Sequence, residues 1–140
     1  MRKSFHVVQI NPFFTNVRKE ITKMPKMYFA DLGLRNFFKN DFRPLPERDD
    51  RGQLLENAVF RALWEGRDAD QIRFWRTADK KEIDFVVDEL NAYEVKFKRT
   101  RVNKTSYRLF HESYPAIGFS FISLEDGREP SIRPWELEQT

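Results

Sequence analysis

Apolar residues recur at helical spacing in one long stretch and alternate in several short ones. Leu54, Leu55, Ala58, Val59, Ala62 and Leu63 form a stripe that predicts a helix over Gln53–Trp64, with Gly66 near its end as a C-cap glycine. Strands are predicted at Ile72–Arg76, Ile83–Asp88, Ala92–Lys98 and Gly118–Ser123. Phe5–Phe14 reads as a strand running into a turn at Asn11-Pro12, and Met27–Phe29 as a short extended run. Asp31 is placed to cap a short helix over Leu32–Phe38. Another helix is predicted from Lys104 to Tyr114, stopped by Pro115, and a last short element at Arg133–Leu137. The polar stretch Asn40–Asp50, with Pro44 and Pro46, is the clearest loop. The pattern predicts an α/β fold: a mixed β-sheet of about four or five strands flanked by helices. Residues 1–40 are expected to pack on a main domain formed by residues 41–140.

Composition narrows the chemistry. Hydrophobic residues make up 40% of the 140 positions and aromatics 15%, enough for a packed core. The aromatic-rich stretch from Tyr28 to Phe42 is expected to pack against the main sheet. The absence of cysteine excludes disulfides, thiolate zinc sites and cysteine nucleophiles, and suits a cytoplasmic location. No apolar run approaches the roughly 20 residues of a membrane helix. A net charge of +3 says little about partners, but its placement says more. Lys96, Lys98, Arg99, Arg101, Lys104 and Arg108 follow one another with no acidic residue between them. Lys98, Arg99, Arg101 and Lys104 are therefore candidate contacts to nucleic-acid phosphates, the alternative being a solvated helix entrance.

Three acidic residues and a lysine stand out against this frame. On a helical wheel Glu56 falls between Phe60 and Leu63, at the margin of the apolar stripe and away from the polar sector of Asn57 and Arg61. A carboxylate there needs a partner or a metal. Strand alternation puts Ile83, Phe85 and Val87 on one face with Tyr93, Val95 and Phe97, leaving Asp84, Glu94 and Lys96 together on the other. If Glu89-Leu90-Asn91 forms a three-residue loop, with Asn91 left-handed, Asp84 lies opposite Lys96. Glu94 is then its diagonal neighbour, roughly 7–8 Å away between backbones. Two carboxylates so placed, with Glu56, would hold one hard cation such as Mg²⁺ or Mn²⁺. Taken alone, Lys96 reads as an ordinary cross-strand ion pair with Asp84.

The order helix-Glu56, strand-Asp84, Glu94-x-Lys96 resembles the PD-(D/E)xK nuclease superfamily, through Glu82-Ile83-Asp84-Phe85-Val86-Val87 and Tyr93-Glu94-Val95-Lys96. Ile83 stands where the literal motif has proline. Nearly the whole chain is also similar to the C-terminal DUF4143 region of a bacterial and archaeal family of AAA-type ATPases. The matching stretches include Asn11-Pro12-Phe13-Phe14, Tyr28-Phe29-Ala30-Asp31-Leu32-Gly33-Leu34-Arg35-Asn36, Gly52-Gln53-Leu54-Leu55-Glu56-Asn57 and Phe74-Trp75-Arg76.

The resemblance implies a restriction-endonuclease-like fold, with residues 1–40 containing the end of a preceding winged-helix-like region. It implies Glu56, Asp84 and Glu94 as metal ligands and Lys96 as the residue serving the attacking water. The expected function is a Mg²⁺- or Mn²⁺-dependent nuclease acting on DNA, in a detached C-terminal part of an ATPase-family protein. The alternative is a non-cleaving nucleic-acid- or protein-binding module that regulates a linked ATPase. The chain has no Gly-x-x-x-x-Gly-Lys-Ser/Thr, so no ATP hydrolysis is expected from it.

Overall fold

A computed structural model describes residues 6–13, 24–78, 80–98, 105–125 and 131–139. Its elements run β1 (Val7–Pro12), β2 (Lys26–Phe29), α1 (Leu32–Lys39), α2 (Arg51–Trp64), β3 (Ile72–Arg76), β4 (Glu82–Val87), β5 (Asn91–Lys98), α3 (Thr105–Ser113) and β6 (Gly118–Glu125). Short 3-10 turns cover Leu45–Glu47, Ala69–Gln71 and Pro134–Gln139. The strands form one mixed sheet in the order β2-β1-β3-β4-β5-β6, with β1–β3 and β5–β6 parallel and the other pairs antiparallel. The α/β prediction holds, but the sheet has six strands, more than the expected four or five. The N-terminal segment accounts for the difference, since β1 and β2 both join the same sheet as the rest.

Local chemistry sets most boundaries. Asp31 caps α1 by accepting from the Leu34 amide at 2.8 Å, and Asn40 closes the helix in the left-handed conformation. Gly66, at φ 74°, turns the chain after α2 where a side chain would be strained.

Both faces of the sheet are covered. Leu55, Val59, Phe60 and Leu63 of α2 pack with Phe74, Phe85, Val87, Tyr93 and Val95. Phe110 of α3 packs with Trp75, Ile83, Val86 and Ala92. Val86 and Ala92 are thus buried on the side expected to carry the polar residues. Ile83 belongs to that side too, not with Phe85, because the β3–β4 register shifts between Arg73 and Trp75. The expectation for the aromatic stretch fails in part. Tyr28 is buried, but Phe37, Phe38 and Phe42 are each about two-thirds exposed.

Candidate functional site

The β4–β5 hairpin places the central residues, and its turn differs from the expected one. Asp88 and Glu89, not Asn91, take the left-handed conformation, and the Leu90 amide donates to the Val87 carbonyl. The ladder pairs Val87 with Asn91, Val86 with Ala92 and Phe85 with Tyr93. This register directs Asp84 at Glu94, where Lys96 had been expected.

Beyond Phe85 and Tyr93 the ladder stops. β4 stays with β3, and β5 stays with β6 as far as Lys98. The sheet forks, and the two acids fill the fork. Asp84 Oδ2 accepts from the Val95 amide at 2.8 Å, and Glu94 Oε2 accepts from the Asp84 amide at 3.3 Å. Side-chain oxygens thereby satisfy two backbone amides where the ladder ends.

Glu56 reaches the same place from α2. Its Oε1 accepts from the Tyr28 hydroxyl at 2.5 Å and from Lys26 Nζ at 3.1 Å. The adjacent Asn57 is buried, not in a polar sector. Its amide group bonds the Phe29 N–H at 2.9 Å and the Phe29 carbonyl at 2.8 Å, fixing β2 to α2.

Lys26 is the residue the sequence reading missed. Its ammonium lies 3.1 Å from Glu56 Oε1 and 3.6 Å from Asp84 Oδ1, and pairs closely with Glu82 Oε1. Glu82 is also held by Arg76, at 2.7 Å. Lys96 pairs with Glu94 Oε1 at 2.8 Å, and the Tyr107 hydroxyl of α3 donates to the same oxygen at 3.2 Å. All four residues named from sequence therefore lie in one charged cluster. They are arranged as two lobes, Glu56–Lys26–Asp84 and Glu94–Lys96, joined through the Asp84 backbone. Alternation could have exposed part of this, since Glu82 shares a face with Asp84 and Lys26 with Tyr28.

The electrostatics follow from burial and crowding. Burial, then the Glu56 and Glu94 charges, push the Asp84 carboxyl well above its ordinary value, against Lys26 and the Val95 amide. Burial alone would lower the Lys26 ammonium, but Glu56, Asp84 and Glu82 outweigh it and raise it. Lys96 behaves likewise through Glu94. Burial and Glu56 keep the Tyr28 phenol protonated, so it acts as a donor.

Do these residues suit a divalent cation? The donors are oxygens, as Mg²⁺ or Mn²⁺ requires. Glu56 and Asp84 already share one cationic atom, Lys26 Nζ. Glu94 turns instead to Lys96, Tyr107 and the Asp84 amide. Among the described residues no three acidic or histidine side chains form a ready-made ligand cluster. Two of the three expected ligands therefore converge, and the third is adjacent. Of the expected phosphate contacts, Lys98 is exposed beside Glu125 at 3.5 Å. Arg99, Arg101 and Lys104 lie outside the described residues.

Residues 51–129 match a family described as "Domain of unknown function (DUF4143)". The chain belongs to the DUF4143 family. Two curated relatives, the uncharacterized proteins Mb2031c of Mycobacterium bovis and Rv2008c of Mycobacterium tuberculosis, are each 33% identical over 105 residues. The alignments cover 67% of this chain but 22% of each relative, so this DUF4143 chain spans about a fifth of their length. No solved structure gives a significant match. No helix among the described residues is long and apolar enough to cross a membrane.

Proposed function

We propose that this DUF4143 domain is a divalent-metal-dependent phosphodiesterase of the PD-(D/E)xK type, with a restriction-endonuclease-like core, acting on DNA. The observation that carries this reading is the fork. A helix glutamate, a strand aspartate and a Glu-x-Lys pair from three separate elements lie together at a break in the sheet. Glu56, Asp84 and Glu94 would hold Mg²⁺ or Mn²⁺. When bound, such an ion lowers the pKa of its water and offsets charge on the phosphodiester. Lys96, half exposed beside Glu94, is placed to orient the attacking water or to neutralise developing charge. Lys98, with Arg99, Arg101 and Lys104, would hold the DNA backbone.

The alternative, a non-cleaving module that binds nucleic acid or a linked ATPase domain, is favoured by one specific observation. Lysines already pair with Glu56, Asp84 and Glu94. Incubation with single-stranded, duplex and branched DNA in Mn²⁺ separates the two. The enzyme reading expects cleavage that Asp84→Ala abolishes. DNA binding without cleavage, unchanged by Asp84→Ala, would falsify it.

A further inference from the structure

We propose that Lys26 is an internal competitor for the cation site, its ammonium holding Glu56 and Asp84 until a divalent ion displaces it. The inference rests on the metal-dependent reading of the fork and adds a regulatory step to it.

Three observations lead there. First, the ammonium occupies the point shared by Glu56 Oε1 and Asp84 Oδ1, the two convergent ligands, so lysine and metal cannot both be seated. Second, the cradle does not depend on Lys26 for its shape. Without it Glu56 keeps the Tyr28 hydroxyl, Asp84 keeps the Val95 amide, and Glu82 keeps Arg76. The carboxylates stay oriented, which is what a preorganised site requires. Third, Lys26 can leave. It sits on β2, the edge of the sheet, on a flexible four-carbon stem whose ammonium is readily rehydrated.

Charge supplies the direction of the exchange. Around the fork, among the described residues, Glu56, Glu82, Asp84 and Glu94 face Lys26, Lys96 and Arg76. Replacing a single positive charge with a double one improves that balance. Metal loading then competes with the ion pairs, and the apparent affinity is the intrinsic affinity multiplied by the fraction of time Lys26 is withdrawn.

Two measurements test this together. In the unmodified protein, acylation of Lys26 by an amine-reactive ester is followed by peptide mass spectrometry, with and without Mn²⁺. Slow labelling that accelerates several-fold as Mn²⁺ binds is the expected result. In parallel, Mn²⁺ binding is measured for Lys26→Met and for Lys26→Met/Glu82→Gln, which keeps the local charge and guards against a folding defect. If Lys26 is withdrawn about one tenth of the time, these variants bind about tenfold more tightly than wild type. Wild type that binds Mn²⁺ with no change in Lys26 labelling, and variants with unaltered affinity, overturn the competition while leaving the metal site standing. Failure of every protein to bind Mn²⁺ overturns both.

Discussion

Among the described residues charge is buried in two places, and they are built in opposite ways. In the first, Arg48 donates to Asp50 at 2.8 and 3.0 Å, to Asn36 at 2.9 Å and to the Asp41 carbonyl, while Arg35 donates to Asp50 at 2.8 Å. Guanidinium and carboxylate groups match closely, and Asp50 is held well below the ordinary carboxylate range, chiefly by its bonds to Arg48. This cluster ties α1 and the following loop to the start of α2. In the second, at the β4–β5 fork, carboxylates crowd together and Asp84 is pushed upward by burial and by its acidic neighbours. A cluster that only holds elements together has no need of a strained carboxylate. Crowded carboxylates with a raised pKa are characteristic of functional sites, and they fit the proposed cation site.

The widest separation between the clusters should appear in catalysis. Asp84→Ala is expected to lower Mn²⁺-dependent DNA cleavage by about 10²–10³-fold. Asp50→Asn should leave the rate per folded molecule unchanged, both being read by nicking of supercoiled plasmid. Equal losses would erase the distinction.

Stability should reverse the order. Asp50→Asn removes the ion pair of Arg35 and the closer of the two pairs of Arg48, and should cost about 1–3 kcal/mol in urea unfolding. Asp84→Asn keeps an acceptor for the Val95 amide and removes a crowded charge, so no loss is expected at neutral pH. A larger loss for Asp84→Asn than for Asp50→Asn would contradict this account.

The pH dependence has opposite signs in the two clusters. A carboxyl with a raised folded-state pKa binds its proton more tightly when folded. The Asp84 contribution is therefore lost as pH rises from the ordinary carboxylate value through the raised one. Asp50, and Asp41 at about 2, are lowered, so their contribution is present above the ordinary value and lost as pH falls through the lowered ones. Urea midpoints across pH should flatten on the neutral side in Asp84→Asn and on the acid side in Asp50→Asn.

The smallest effect concerns the exposed Lys98–Glu125 pair. Lys98→Ala should change stability by less than about 1 kcal/mol. If Lys98 meets a phosphate, it should also reduce the salt slope of DNA binding by about one.

Periodicity carried most of the fold. The stripe from Leu54 to Leu63 located α2, and alternation located β3 to β6, because those segments bury one or both faces against helices. It did not show that β1 and β2 complete the sheet, since pairing between distant segments leaves no trace in local pattern. At the site, the spacing of Glu56, Asp84, Glu94 and Lys96 was legible. Their registry was not, because Asp88 and Glu89 adopt a turn that their residue types do not announce. Lys26 was hidden for a different reason. A lysine on a short strand reads as solvated until the tertiary fold places three carboxylates around it.

The central claim is that the fork is a divalent-cation site, and Mn²⁺ binding followed by loss of the free-ion paramagnetic resonance signal tests it directly. Wild type is predicted to fill one site at a concentration on the order of 1 mM or below, and Asp84→Asn, folded, to fill none. No binding by wild type, or equal binding by Asp84→Asn, would contradict the claim.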